Sequence, residues 1–413
     1  MCLGHRLMVI KMIAINTRLI KYILCFFVLF PPLIIETAFA YGDTAFKLLQ
    51  LMVLGYILYI GFKKRLVVFS HFELAIGVFI LCGVVTNVLH SPKSTFVYLM
   101  SVAYPILEAT LLCMIMMGND YDETMDGFAY YYSIIMWLNA FSMILFPTGI
   151  IRTSASSSYT RAFWLLGSKN VIVHTMPLYM MAIMYLHNKK KSLLTTLTLI
   201  VALLSFSSMG SEGVELLHGS STCIIEGIVF MILYSFKDET IFKRLVYGIT
   251  LSVSTVLCML ASIVFVRIGD IGGVSSLVRV LGKDTTFSSR TYNWNRLVLL
   301  IKDNWVLGIG NQVIRFRVFD TYSESIYTQF GSLLLRYGVI GMLAFLIVLI
   351  CADKNADRSI DYCIKYLRIS FMVMSIGGLM YELSWKPYFL LIAMTYYTHA
   401  FDGVKGVCCN VDK

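Results

Sequence analysis

The sequence predicts an all-α polytopic membrane protein of about twelve transmembrane helices, with a large extracytoplasmic loop between the ninth and the tenth. Three observations predict it. Hydrophobic residues make up 58% of the 413 and charged residues only 14%, whereas soluble domains run near a quarter charged. Mean hydropathy is +0.76, and apolar runs long enough to cross a hydrocarbon core of about 30 Å recur along the chain. One long polar and basic stretch, 267–325, interrupts them. That gives a bundle over 1–266 (nine spans), the loop, and three more spans with a tail over 326–413.

In order, the first span is the apolar run 22–40, too long for a signal-peptide core. Spans follow at about 44–62, 67–89, 96–117 and 129–147, with an acidic stretch at 118–128 read as a loop. A polar loop, 148–169, leads to spans at about 170–187, 193–209, 222–235 and 245–266. Beyond the long loop come 326–350, 366–383 and 387–402. Twelve spans put both termini on one side. The segments on that side carry about nineteen Lys and Arg and the short loops opposite about six, which makes the termini cytoplasmic under the positive-inside rule. The net charge of +10 is then a topology signal, with no nucleic acid implied. Ten cysteines lie in apolar runs or near the cytoplasmic side and none in 267–325, so neither a disulfide nor a metal site is expected.

The chemistry concentrates in FSSRTYNWNRLVLLIKDNWVLGIGNQ, Phe287 to Gln312. Trp294, Leu297, Leu300, Ile301 and Trp305 recur with helical spacing, predicting an amphipathic helix that rests on the bundle or the membrane surface. Ser288–Ser289 would cap it. Arg290 would sit in the first turn, beside unpaired amides suited to phosphate oxygens; an ion pair with Asp284 or Asp303 is its competing role. Gly308 and Gly310 predict a tight return of the backbone. Ionisable residues in or near apolar runs (Glu73, Glu108, Glu382) suggest function, though Glu73 fits a side chain reaching for the cytoplasmic interface. Arg336, inside the tenth span, either reaches a lipid phosphate or pairs with a buried carboxylate. His174 reads as a hydrogen-bonded packing residue.

An Arg–x–x–x–Trp helix followed by a Gly-x-Gly turn, here Arg290, Trp294, Gly308 and Gly310, resembles the O-antigen ligase and polymerase superfamily. So do SESIYTQFGSLLLRYGVIG (Ser323 to Gly341), entering the next span, and RAFWLLGSKNVIVHTMPLY (Arg161 to Tyr179). The chain departs from the family's ligases where many carry a His: Tyr327 lies nearest that register, and Glu324 is the closest ionisable side chain. It also lacks their Ser–Arg pair after the seventh span, which leans the resemblance toward a polymerase. The resemblance implies glycosyl transfer on the outer face of a bacterial inner membrane, from a glycan on undecaprenyl pyrophosphate to a second lipid-linked repeat. A chain-length regulator is the implied partner protein. The implied catalytic residues are Arg290, Glu324 as acceptor-activating base, and Tyr327. The substrate-binding set is Arg161, Arg152, Lys169, Asn170, Arg279, Trp294, Arg315 and Arg336. Solvation or headgroup contact is the competing role for the arginines, and capping of the sixth span for Lys169 and Asn170. The large loop has no DxD-like acidic pair, which predicts a reaction without metal or other cofactor. A secondary transporter or flippase, the reading from another class, would show symmetric halves and polar residues at mid-membrane.

Overall fold

The computed structural model describes residues 17–38, 42–67, 69–156, 159–168, 171–210, 213–214, 220–236, 251–265, 290–312, 316–318, 321–323, 328–353, 362–379, 381–382 and 384–408. The chain is mostly helical. In order, the helices are α1 (17–29), α2 (Leu33–Ala38), α3 (Gly42–Lys63), α4 (His71–His90), α5 (Pro92–Met117), α6 (Tyr121–Leu145), α7 (Met176–Lys190), α8 (Leu193–Ser208), α9 (Ser221–Ser235), α10 (Leu251–Phe265), α11 (Arg290–Asp303), α12 (Gln329–Asp353), α13 (Tyr362–Gly377) and α14 (Trp385–Cys408). Each of the twelve apolar runs holds a helix. Among the described residues five are long and apolar enough to cross a membrane: Ala45–Lys63 within α3, then α4, α5, α6 and α12.

Four expectations are corrected. The chain is not purely α: two antiparallel hairpins, β1 (Ile151–Ser156) with β2 (Tyr159–Phe163) and β3 (Phe316–Val318) with β4 (Thr321–Ser323), lie in loops. The first run is divided at Pro31–Pro32, where proline removes the amides a continuous helix needs. The acidic stretch is largely helix, since α6 begins at Tyr121. Its carboxylates meet cations: Asp126 pairs with Lys189 at 2.6 Å and Glu123 with Arg18 at 3.9 Å. Glu73 completes a capping box with Ser70 at the start of α4 and accepts from Tyr397 Oη, so it is a cap and not a side chain reaching outward.

Hydrogen bonds between connecting segments sort them into two ends. At one, Lys64 donates to Asn119 Oδ1, and Asp353, closing α12, accepts from the amides of Leu251 and Ser252 at 3.0 and 3.1 Å, capping α10. At the other, here the loop end, Ile34 N donates to Leu165 O, Val214 N to Pro147 O, Gln312 Nε2 to His90 O and Gln329 N to Gly378 O.

The core that holds the loop end is aromatic. Phe79 on α4 packs against Tyr337 and Phe345 of α12 and against Trp385 and Phe389 of α14, with ring centroids 5.5–6.1 Å apart. α5 joins at Gly83, where any Cβ would lie 2.1 Å from Tyr98 Oη. Without a side chain there, the Tyr98 ring lies flat on α4 and its hydroxyl donates to Ile80 O at 3.0 Å.

Candidate functional site

α12 is not one continuous helix. At Gly338 the backbone turns to φ 63, ψ −168, a region open essentially to glycine. Such a break removes two intrahelical bonds, leaving the carbonyls of Leu335 and Arg336 and the amides of Val339 and Ile340 without helical partners. In a membrane each unsatisfied group costs several kcal/mol, so irregular backbone survives only where protein answers it. Here segment 305–310 answers all four. Val339 N donates to Trp305 O (2.8 Å) and Ile340 N to Val306 O (3.3 Å); Ile309 N donates to Leu335 O (2.8 Å) and Gly310 N to Arg336 O (2.9 Å).

That exchange explains the Gly-x-Gly turn. Gly308 and Gly310 have φ of 73 and 71. A Cβ on Gly308 would lie 2.5 Å from the Arg336 carbonyl carbon, and one on Gly310 would lie 2.9 Å from Asn87 Oδ1. α4 fixes the other side of the segment. Thr86 Oγ1 donates to Leu307 O at 3.0 Å, and Asn311 N donates to Asn87 Oδ1 at 2.8 Å. Asn311 Oδ1 in turn accepts from Tyr337 Oη at 3.2 Å. The return of the long loop is therefore inserted between α4 and α12 as a staple, not laid over the surface.

The amphipathic helix leads into the staple and begins, as expected, at Arg290. Its inner stripe, Leu297, Leu300 and Ile301, packs on α12 around the buried Leu335. Leu297 lies against Gly331, where a Cβ would be 2.4 Å from its Cδ2. Val298 and Leu299 on α11, and Trp305 just beyond its end, are exposed. From Leu297, level with Gly331, the chain runs on to meet Leu335–Ile340, so α11 descends alongside the start of α12. Arg290 and Trp294 lie seven and three residues before Leu297, in the first two turns of α11. Leu297→Ala should loosen this helix by about 2–4 kcal/mol. Hydrogen exchange would then rise through 290–303 while the amides of α4 keep their protection.

Arg336 has a partner. Its Nη2 is 2.9 Å from Glu382 Oε1, its Nε donates to Ser332 Oγ at 3.0 Å, and Ser332 Oγ donates to the same carboxylate oxygen at 2.6 Å. Of the two readings of Arg336, the carboxylate pair is the one formed, although Glu382 is 32% and Arg336 23% exposed rather than sealed. The link between α13 and α14 makes this contact as it descends: Gly378 meets Gln329 at the top of α12, and Glu382 meets Arg336 two turns down. Lys386 then closes the recess, with its Nζ 2.8 Å from Glu108 Oε2, donating to Leu29 O, and 4.8 Å above the Phe30 ring.

The other candidates do not converge with these. Arg152 is exposed on β1 and donates to Thr148 O at 3.0 Å. Arg161 pairs with Thr153 across the hairpin, so positions 152 and 161 fall on alternate faces of the ribbon. Lys169, Asn170, Arg279, Arg315, Glu324 and Tyr327 lie outside the described residues. His174 is a packing residue without the expected bond: its ring meets Tyr381 edge-on at 6.2 Å, but Nδ1 has no partner among the described residues. The sequence reading missed the break at Gly338, the polar pair Thr86–Asn87 that receives the staple, and the pairing of Glu108 with Lys386. Two opposite charges in apolar surroundings were the available signal for the last.

Compared with protein-family models, curated proteins and solved structures, the chain matches none.

Proposed function

We propose that this chain is a polysaccharide polymerase that joins undecaprenyl-pyrophosphate-linked repeat units at the outer face of a bacterial inner membrane. The observation that carries the reading is a helix that opens on Arg290 and is held against α12 by its second half. Leu297 and the 305–310 staple make the clamp, and Val298 and Leu299 are exposed. A lipid diphosphate needs its tail in lipid and its charged head at the membrane surface.

In the proposed reaction an acceptor hydroxyl attacks C1 of the donor sugar. The bond from C1 to the pyrophosphate oxygen breaks, and the hydroxyl proton passes to a carboxylate, assigned to Glu324. Negative charge grows on the departing diphosphate, where a fixed guanidinium acts most strongly. Arg290 takes that role, and Arg336 would exchange Glu382 for a phosphate oxygen. A transporter built on a broken helix would leave freed backbone groups for an ion; here the staple occupies those at Gly338, which favours the enzyme.

Arg290→Ala should lower polymerisation by about a hundredfold or more, leaving single repeats on the lipid. Arg290→Lys should recover only part, because an ammonium lacks the two-pronged fork. Gel ladders of surface polysaccharide check this. Unchanged ladders would remove Arg290 from the reaction, intact but unattached polymer would indicate the ligase, and repeats trapped on the inner leaflet a flippase.

A further inference from the structure

α9 and α13 pack antiparallel. Tyr234 meets Tyr366 near one end, with ring centroids 5.7 Å apart, and Glu226 meets Gly377 near the other. Glu226 lies in the second turn of α9, on the stripe it shares with Cys223 and Phe230. All three are buried, Glu226 completely. Its carboxyl is seated where α13 has no side chain: a Cβ on Gly377 would overlap Glu226 Oε1 and lie 3.7 Å from Val173 Cγ1. Neither carboxyl oxygen has a hydrogen-bond or ion-pair partner among the described residues. Glu108, equally buried, has Lys386 against it. The titratable groups on the elements around Glu226 are Cys223 on α9 itself, His174 in the adjoining 172–174 turn, and Tyr381 beyond Gly377. Lys365 and Arg368 belong to the opposite half of α13; Arg368 precedes Gly377 by nine residues, about 13 Å of helix. Glu212, Glu215 and His218, which precede α9, lie outside the described residues.

The geometry points to Glu226 as a proton-binding site, a carboxyl that is neutral in the folded chain and latches α9 to the end of α13. A carboxylate stripped of water with no cation beside it is too costly to keep, and such a group takes up a proton instead. Ionisable groups in apolar helices are rare for that reason and mark function. A proton is also the ligand that needs no further donor: among the described residues no three His, Cys, Asp or Glu side chains gather to hold a metal ion. Releasing the proton in place would leave a bare charge among apolar walls, so ionisation requires α9 to part from Gly377 and admit water. Gly377 opens the link that seats the start of α12. Tyr381 N donates to Gly377 O at 3.1 Å, and Gln329 N donates to Gly378 O at 2.8 Å. Loss of the proton therefore loosens the seat of Gln329 as well as that of α9. The inference stands apart from the polymerase reading and holds whether or not Arg290 takes part in glycosyl transfer.

The test is infrared spectroscopy of the full chain in lipid nanodiscs, wild type minus Glu226→Gln. At about pH 7, where an exposed glutamate is fully ionised, the difference should contain the C=O stretch of a neutral carboxyl and no carboxylate bands. Glu226→Gln, uncharged and of the same shape, should fold and melt with the parent. Raising the pH until the neutral band disappears should speed hydrogen exchange through 221–230 and at Gln329 in the wild type beyond the rates in Glu226→Gln at the same pH. Carboxylate bands at neutral pH would overturn the proton site, as would a Glu226→Gln chain that does not fold. Exchange that rises equally in both proteins would overturn the latch.

Discussion

Gly338→Val is expected to abolish the folded protein, at a cost above about 4 kcal/mol. The position has φ 63 and ψ −168, and a Cβ would lie 2.2 Å from Val306 O. A β-branched side chain cannot hold that backbone, and restoring a regular helix would expel the staple and orphan the groups of 305–310. Gly77→Ala in α4 is the control, since nothing lies within 4 Å of its added methyl; it should be neutral or stabilising by up to about 1 kcal/mol. Thermal unfolding in detergent, with elution as a monodisperse species, distinguishes them. A Gly338→Val protein that melts with the parent would mean that the break is not structurally required.

Lys386→Met should cost about 3–5 kcal/mol, because it removes the cation paired with the buried Glu108 carboxylate. Glu108 is fully buried, and Lys386 links it to Leu29 at the end of α1. The double variant Lys386→Met/Glu108→Leu should regain most of the loss, since well-packed apolar residues replace a buried pair at little cost. Unfolding of both singles and the double in one detergent reads the coupling. A double variant as unstable as the sum of its singles would show that the two side chains do not depend on each other.

Much of the fold is legible in the sequence because a bilayer imposes a simple rule: apolar runs become helices, and each of the twelve runs holds one. Arg290 at a helix start, the inner stripe of Leu297, Leu300 and Ile301, and the turn at Gly308 and Gly310 were readable from spacing. Two things were not. Gly338 lies in an apolar run whose composition favours unbroken helix, and its break follows from a segment thirty residues earlier that supplies four backbone bonds. Backbone hydrogen bonding leaves no side-chain signature beyond the glycines. Arg336 with Glu382 and Lys386 with Glu108 are tertiary pairs between segments far apart in the sequence, and sequence spacing has no access to such partners. Arg152 and Arg161 looked alike as loop arginines, but strand register separates them onto opposite faces.

Surface labelling of a single cysteine at position 302 tests the central claim most directly. Lys302 is exposed in the last turn of α11, three residues before the staple begins. With the natural cysteines replaced and Lys302→Cys introduced, a membrane-impermeant maleimide should label intact spheroplasts as fully as lysed ones. Labelling that appears only after lysis would put the Arg290 helix in the cytosol and contradict polymerisation at the outer face.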